Sequence, residues 1–112
     1  MKRIEAIIRP EKASEVCAAL DNVGHRGVTL SQVEGQGDQK GWVNHVRGIL
    51  HKVNLLSRTR VEVVVKDEDA DLIIKAILNA ALTGEVGDGK IFVHDIANVI
   101  RIRTKESGMA AL

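Results

Sequence analysis

The strongest constraint on the fold is the order in which two hydrophobic periods alternate along the chain. Residues 2–9 place apolar side chains at every second position, a spacing that predicts a β-strand. Residues 10–23 change to the helical spacing, and Gly24 then allows the left-handed conformation that commonly ends a helix. A strand and a helix bury different sets of positions, so this first segment already predicts a β-α unit.

The same two periods return further along the chain. Residues 67–83 carry the clearest helical pattern, with Asp67 as the N-terminal cap and further acidic residues complementing the positive end of the helix dipole. Strands are predicted over residues 28–35, 59–66 and 91–96, with a further extended piece over residues 99–104. The order β-α-β-β-α-β predicts an α+β fold of the ferredoxin-like type, as a single domain over residues 1–112.

The predicted sheet has a second face that the helices do not cover. In this arrangement both helices pack on one side of the sheet, and Ile7, Val64 and Val99 then carry apolar side chains on the other side. Apolar faces of this kind are usually buried, so we expect this one to contact another subunit. The default assembly for such a contact is a closed homo-oligomer.

Composition argues against several classes of function. The chain has 16 Lys and Arg against 15 Asp and Glu, a formal charge of +1, and so lacks the broad basic surface that nucleic acid binding needs. Its single cysteine allows no internal disulfide, which fits the reducing cytoplasm. No apolar run approaches the roughly 20 residues of a membrane-spanning helix, so we expect no direct membrane insertion.

A glycine-rich stretch, TGEVGDGKIFV over residues 83–93, has the spacing of a phosphate loop without its full chemistry. Gly84, Gly89 and Lys90 match the Walker A pattern. Ile91, however, stands where a Ser or Thr would bind magnesium, and the stretch follows a helix and opens a strand, the reverse of a Walker loop. A Walker-type hydrolase is therefore disfavoured, and two readings stay open: a tight turn, or a nest of backbone N–H groups that binds an anion.

Two further features favour the anion site. Arg101 and Arg103 are two residues apart on the predicted extended piece, so both guanidinium groups would point to one face and hold a polyphosphate. A second glycine cluster, GQGDQKG over residues 35–41, leads into a segment of about twenty residues without clear periodicity, and long loops are usually functional. An arginine pair can also be a solvated surface, but the three features together favour a nucleotide site.

The residues that carry these features resemble the PII signal-transduction proteins, the nitrogen regulators of bacteria and archaea. The resemblance covers nearly the whole chain and is carried by MKRIEAIIRPEK at the start, GQGDQKG, the pair Arg47 and Gly48, and above all TGEVGDGKIFVHDIANVIRIRT over residues 83–104. It implies a ferredoxin-like homotrimer that binds ATP or ADP in clefts between subunits. It also implies a long T-loop, about residues 37–55, that docks onto a target enzyme or membrane transporter, and a C-terminal tail over residues 105–112.

The resemblance also implies roles for individual residues. Those that would contact the nucleotide phosphates are Gly87, Asp88, Gly89, Lys90, Arg101 and Arg103, with Asp38 nearby at the loop entry. Those that would surround adenine and ribose are Thr29, Gly35, Gly37, Glu62 and Val64. Mg²⁺ bound with ATP would be coordinated by Gln39, and the residues around 2-oxoglutarate would be Gln39, Lys40, Gly41 and Arg58.

Two of these positions depart from the family pattern. Asp38 stands where a basic residue is usual, and a carboxylate near a triphosphate repels it, so ATP would bind more weakly or ADP or AMP would compete better. Arg58 replaces a lysine that would pair with 2-oxoglutarate, which keeps the charge but changes its geometry. Whether 2-oxoglutarate is sensed therefore stays open on the sequence.

The T-loop departs further from the family pattern. His51 occupies the position of a uridylylated tyrosine, and the chain contains no tyrosine, so that modification is impossible. Ile49 occupies the position of a serine that is phosphorylated in some members. Trp42 and Arg47 are residue types enriched at binding hot spots and are the predicted anchors of a partner, with Ile49 and His51 beside them. This loop indicates a divergent branch of the family.

Three hypotheses follow. The main one is a non-enzymatic regulator, in which the bound nucleotide selects a T-loop conformation that permits or blocks docking. The alternative is a PII-like sensor of a different ligand, such as AMP, a cyclic nucleotide or a metal, motivated by Asp38 and the loop histidines His45 and His51. An enzyme has little support, because no spacing in the sequence places a His, Cys or Ser beside a base.

Overall fold

The computed structural model describes residues 1–36, 42–46, 49–53 and 55–112, and for residues 42–46 and 49–53 it describes the backbone alone. The strands are β1 (Lys2–Ile8), β2 (Thr29–Gln36), β3 (Trp42–Val46), β4 (Ile49–Val53), β5 (Leu55–Val65) and β6 (Lys90–Asp95). The helices are α1 (Ala13–Asn22) and α2 (Ala70–Ala81). Neither of these helices is long and apolar enough to cross a membrane.

Four strands form one antiparallel sheet with the spatial order β2-β5-β1-β6, and β3 pairs with β4 in a separate hairpin. Apart from this hairpin, the chain order is β-α-β-β-α-β. The predicted α+β fold of the ferredoxin-like type is therefore confirmed. Strand β1 lies inside the sheet, since it pairs with β5 along one edge and with β6 along the other.

The core lies between the four-stranded sheet and the two helices, and it buries the predicted alternating positions. Register places Ile4 opposite Val63 and Ala6 opposite Val61, so these side chains share one face of the sheet. The largest fully buried side chains are Ile4, Ile8, Val16, Leu20, Val61, Val63 and Ile77. Strands and helices therefore bury their apolar faces against each other, and no aromatic side chain is needed in this cluster.

The outward face of the sheet, on the side away from the helices, is half-buried and mixed in polarity. Ile7 and Val64 lie on it as predicted, whereas Val99 lies beyond the end of β6 and outside the sheet. Between the apolar residues lies an ion pair, in which Arg60 Nε is 2.9 Å from a carboxylate oxygen of Glu62. This face therefore combines apolar contacts with charged groups.

The segment between β2 and β5 is more regular than predicted. The sequence predicts a loop without periodicity and a strand that begins at residue 59, but the backbone forms the β3–β4 hairpin and β5 begins at Leu55. The ladder between β2 and β5 runs without a break from Thr29↔Glu62 to Gln36↔Leu55. Ladder hydrogen bonds join backbone groups, so the sheet continues past the core, where apolar alternation is no longer required.

Helix α2 begins at Ala70, and the prediction that Asp67 caps it is wrong. Residues Asp67–Asp69 form a 3₁₀ turn, and neither this turn nor α2 has a side-chain cap hydrogen bond. Asp67 instead accepts a hydrogen bond from the amino group of Met1 at 2.8 Å. Pairing of β1 with β5 brings these distant groups together, which a local sequence pattern does not reveal.

Residues 99–104 do not form the extended piece that their alternation predicts. They contain an isolated bridge and then a turn over residues 102–104. Arg101 helps to close this turn, because its carbonyl accepts a hydrogen bond from the Lys105 amide at 2.8 Å. Ile102 is 95% exposed, so the apolar alternation is not used for packing within the described part of one protomer.

We predict that Ile77→Ala lowers the free energy of unfolding by about 2–5 kcal/mol, because it removes a fully buried side chain of α2 from the core. Leu72→Ala on the same helix is the matched control, since Leu72 is 51% exposed and its truncation should change stability by about 0.5 kcal/mol or less. Urea denaturation at equal protein concentration measures both. Equal losses in the two variants would contradict this placement of the core.

Candidate functional site

The glycine-rich stretch forms the loop that joins α2 to β6. Gly84, Gly87 and Gly89 have φ angles of 88°, 105° and 96°, in the left-handed region that side chains disfavour. The stretch is therefore a shaped turn that requires glycine at these three positions. Backbone N–H groups in such a turn are free of Cβ obstruction, which is the geometry of an anion-binding nest.

Gly89 is also required because the loop lies directly against β1. A Cβ atom placed on Gly89 would be 1.6 Å from the carbonyl oxygen of Ile7 and 2.8 Å from its carbonyl carbon. Both are backbone atoms inside a doubly paired strand, so neither can shift to make room. The loop is therefore seated on the end of β1, and its position follows the position of that strand.

Asp88 shapes the loop from within. Its Oδ2 accepts hydrogen bonds from the amides of Thr83 and Gly84, both at 2.9 Å. Its Oδ1 accepts a hydrogen bond from the Thr83 hydroxyl and another from Arg9 Nε at 3.1 Å. These donors hold the pKa of the Asp88 carboxyl well below its usual range, with the Thr83 hydroxyl contributing most, so the group is ionised at neutral pH.

The Asp88 carboxylate is not suited to hold a phosphate, so the predicted phosphate contact of this residue stays a prediction for its backbone N–H. Both carboxylate oxygens already accept hydrogen bonds inside the loop, and an ionised carboxylate repels a phosphate. The sequence pattern marks the position but does not reveal that its carboxylate bonds within the loop.

Two residues of this site were missed on the sequence, Arg9 and Thr83. Arg9 follows β1 and donates through Nε to Asp88 and through Nη2 to the carbonyl oxygen of Val86 at 2.8 Å. Thr83 had a usable signal, because Thr and Asp side chains beside a glycine commonly bond to local backbone groups. Arg9 had none, since it lies 79 residues before Asp88 in the chain.

One cavity opens beside the loop, and we call it the loop cavity. It has a volume of about 510 Å³, and it brings together several predicted site residues from three separate segments. These are Gly35, Arg58, Gly87, Gly89 and Lys90. Lys90 and Arg58 supply positive charge and the glycines supply accessible backbone, so the cavity has the chemistry of an anion site.

A second cavity of similar volume, which we call the strand cavity, lies at the other end of the sheet. It contains three residues predicted to surround adenine and ribose, namely Thr29, Glu62 and Val64. Register places Thr29 directly opposite Glu62, and Val64 is two residues further along the same face of β5. Gly35, predicted to contact the same part of the ligand, lines the loop cavity instead.

The two cavities are too far apart for their residues to form one compact binding site. Thr29 and Gly35 are six residues apart on β2, which corresponds to about 20 Å at the rise of an antiparallel strand. Arg60 lies between the cavities on the outward face, where it pairs with Glu62 of the strand cavity. The predicted site residues therefore fall into two groups at opposite ends of the sheet, which we call the two predicted half-sites.

Arg101 and Arg103 do not lie on the extended piece that was predicted to place them on one face, because the chain turns over residues 102–104. Arg101 donates to a carboxylate oxygen of Glu106 at 3.3 Å and to the Leu112 carbonyl at 3.2 Å. Leu112 lines the strand cavity, which places Arg101 beside that half-site. Arg103 lies in the exposed turn.

The remaining predicted contacts fall in the T-loop. Gly37, Asp38, Gln39, Lys40, Gly41 and Arg47 lie outside the described residues. Trp42 begins β3, and Ile49 and His51 lie on β4, where the backbone alone is described. Among the residues whose side chains are described, no group of three His, Cys, Asp or Glu side chains is placed to hold a metal ion.

Comparison with known proteins identifies the family. The chain matches the family model "Nitrogen regulatory protein P-II" over residues 1–106. It is 51% identical over 112 residues to the nitrogen regulatory protein P-II of Rhizobium meliloti (strain 1021), with 100% of both chains covered. The chain belongs to the P-II family. A second P-II relative, nitrogen regulatory protein P-II 2 of Methanothermobacter thermautotrophicus, is 47% identical over 100% of this chain and 97% of its own.

A solved P-II structure has the same fold. The structure of Arabidopsis thaliana PII bound to citrate superimposes with a TM-score of 0.82 at 39% identity, covering 99% of this chain and 91% of that one. The family model and the relatives of this chain are named as nitrogen regulatory proteins. The chain is therefore a nitrogen-regulatory signal protein and not an enzyme. The resemblance that the sequence carries is therefore confirmed.

We predict that Gly89→Ala lowers the free energy of unfolding by more than about 2 kcal/mol, because the new Cβ meets the Ile7 backbone and the residue keeps a positive φ. Gly27→Ala is the control, since its Cβ would meet only the His25 ring at 4.0 Å. Urea denaturation compares them. A Gly89→Ala protein as stable as Gly27→Ala would show that the loop is not seated on β1.

Proposed function

We propose that this P-II protein is a sensor of adenine nucleotides that binds ATP or ADP between neighbouring subunits and controls a target protein through its T-loop. The observation that carries the proposal is the division of the predicted site residues into two half-sites. The loop cavity offers backbone N–H groups and Lys90 for phosphates, and the strand cavity offers Thr29, Glu62 and Val64 for the nucleoside.

Two half-sites at opposite ends of one sheet suit a ligand that bridges two protomers. The phosphate half of one protomer would face the nucleoside half of its neighbour, so each cleft would use both kinds of surface once. A closed ring is the assembly in which every half-site finds a partner, because each protomer then has one neighbour on each side. We propose the homotrimer that the family resemblance implies.

The outward face of the sheet supports such an assembly. Two buried nitrogen atoms on this face, Arg3 Nε and His94 Nε2, have no hydrogen-bond partner among the described residues. Buried polar atoms are normally satisfied, so a second protomer that supplied acceptors here would remove an energetic cost.

The finer ligand chemistry follows the same division. Arg58 lines the loop cavity with Lys90, and its positive charge suits the carboxylate of 2-oxoglutarate beside the phosphates. In this proposal Gln39 coordinates Mg²⁺ with ATP, and Lys40 and Gly41 lie beside the 2-oxoglutarate. The loop anchors Trp42 and Arg47 dock a target enzyme or a membrane transporter, and the protein acts in the cytoplasm.

We predict that Lys90→Ala and Arg101→Ala each weaken ATP and ADP binding at least tenfold, because each removes a charge-assisted phosphate contact worth roughly 1.5–3 kcal/mol. Calorimetric titration with ATP, ADP, AMP and cyclic nucleotides, with and without Mg²⁺ and 2-oxoglutarate, measures the effect. Unchanged ATP and ADP affinities in both variants would contradict the site. Tight binding of AMP or a cyclic nucleotide with weak ATP would favour the alternative ligand.

Mixed oligomers test whether the cleft is shared. We predict that Lys90→Ala and Arg101→Ala proteins, each defective alone, regain part of the nucleotide binding when refolded together. In a mixed ring one cleft receives the intact loop half from one variant and the intact strand half from the other. The control is Lys90→Ala refolded with itself. A mixture that binds no better than either variant would place the whole site within one protomer.

A further inference from the structure

We propose that Arg9, Thr83 and Asp88 form a clamp that positions the phosphate nest and neutralises its carboxylate, so that the loop selects ligands with two or more phosphates. This inference rests on the proposed function, because it assigns positioning residues to the same site. We call these three residues the loop clamp. None of them needs to touch the ligand.

The clamp first closes the loop on itself. The Asp88 carboxylate accepts hydrogen bonds from the amide and hydroxyl of Thr83 and from the amide of Gly84. These bonds join the two ends of residues 83–88 through one carboxylate. The Thr83 hydroxyl oxygen also accepts the Glu85 amide at 3.1 Å. Gly84 and Gly87 have positive φ angles. Because glycine also adopts many other backbone conformations, these hydrogen bonds are what restrain the two residues to the observed angles.

Arg9 then orients one particular amide. Its guanidinium holds the Val86 carbonyl at 2.8 Å. In a trans peptide the C=O and the following N–H point in opposite directions, so this bond turns the Gly87 N–H away from Arg9. Gly87 also lines the loop cavity, where a backbone amide can donate a hydrogen bond to an anion.

The clamp also offsets a charge that opposes the ligand. Asp88 lies next to Gly89 and Lys90, and its lowered pKa keeps the carboxyl ionised. An unpaired carboxylate there would repel a polyphosphate more strongly as the number of phosphates rises. Arg9 Nε is 3.1 Å from that carboxylate, and this ion pair offsets the negative charge within the loop.

We predict that disrupting the loop clamp causes a loss of affinity that depends on the number of phosphates in the ligand. In Arg9→Gln the affinity for ATP should fall at least tenfold, that for ADP less and that for AMP least, with a shallower salt dependence than in the wild type, because salt screens the repulsion from the freed carboxylate. Arg9→Lys keeps the charge but not the two-point contact, so it should recover part of the loss. Lys75→Gln, an exposed residue of α2, is the charge-matched control and should bind as the wild type does.

Thr83 provides a second, uncharged test. Thr83→Val removes the hydroxyl with little change in shape and should weaken ATP binding several-fold, whereas Thr83→Ser keeps the hydroxyl and should retain affinity. Combining Thr83→Val with Arg9→Gln should give less than the sum of the single losses, because both act on Asp88. Equal losses for ATP, ADP and AMP, or no loss at all, would overturn the clamp as a phosphate-positioning device.

A measurement without nucleotide separates this inference from the proposed function. Amide hydrogen exchange of the nucleotide-free protein should speed up at least tenfold at residues 84–89 in Thr83→Val and Arg9→Gln, with the global unfolding free energy little changed. If the wild type binds no nucleotide, the proposed function fails, and exchange then decides the clamp alone. Faster exchange confined to the loop supports it, and unchanged exchange overturns it.

Discussion

The double pairing of β1 is the constraint on which the candidate site depends. Its ladders to β5 and β6 fix the backbone of Ile7 from both sides, and the glycine-rich loop lies against that backbone at Gly89. Arg9 leaves the same strand and holds Asp88 and the Val86 carbonyl. The core therefore positions the loop through a rigid strand, and the buried faces of β1 and β5 hold that strand in place.

The geometry of the sheet also divides the predicted site residues into two groups. The glycine-rich loop and Arg58 lie at one end of the outward face, and Thr29 with Glu62 lies toward the other. A rigid sheet cannot bring its own ends together, so in the proposed function a second copy joins the two groups. In the proposed function this makes nucleotide binding and assembly properties of the same surface, which suits a regulatory protein whose ligand and conformation are coupled.

The fold was predictable because its elements carry regular patterns. Alternating apolar residues marked β1, the core part of β5 and β6, and helical spacing marked α1 and α2, so the β-α-β-β-α-β order followed. The errors lay where a pattern had another cause. Residues 99–104 alternate but turn, and Asp67 resembles a cap but pairs with the Met1 amino group. The β3–β4 hairpin lies where apolar periodicity gave no signal.

The sequence alone determined the family, the order of the elements outside the β3–β4 hairpin and the glycines of the loop, because periodicity and left-handed backbone positions are local properties of the chain. It could not reveal that the Asp88 carboxylate bonds within the loop, nor that Arg9 is its partner. Only the tertiary structure decided these points. It also showed that Thr29, Glu62 and Val64 lie far from Lys90. The physical reason is that antiparallel pairing sets distances between residues far apart in the chain, and no local pattern encodes them.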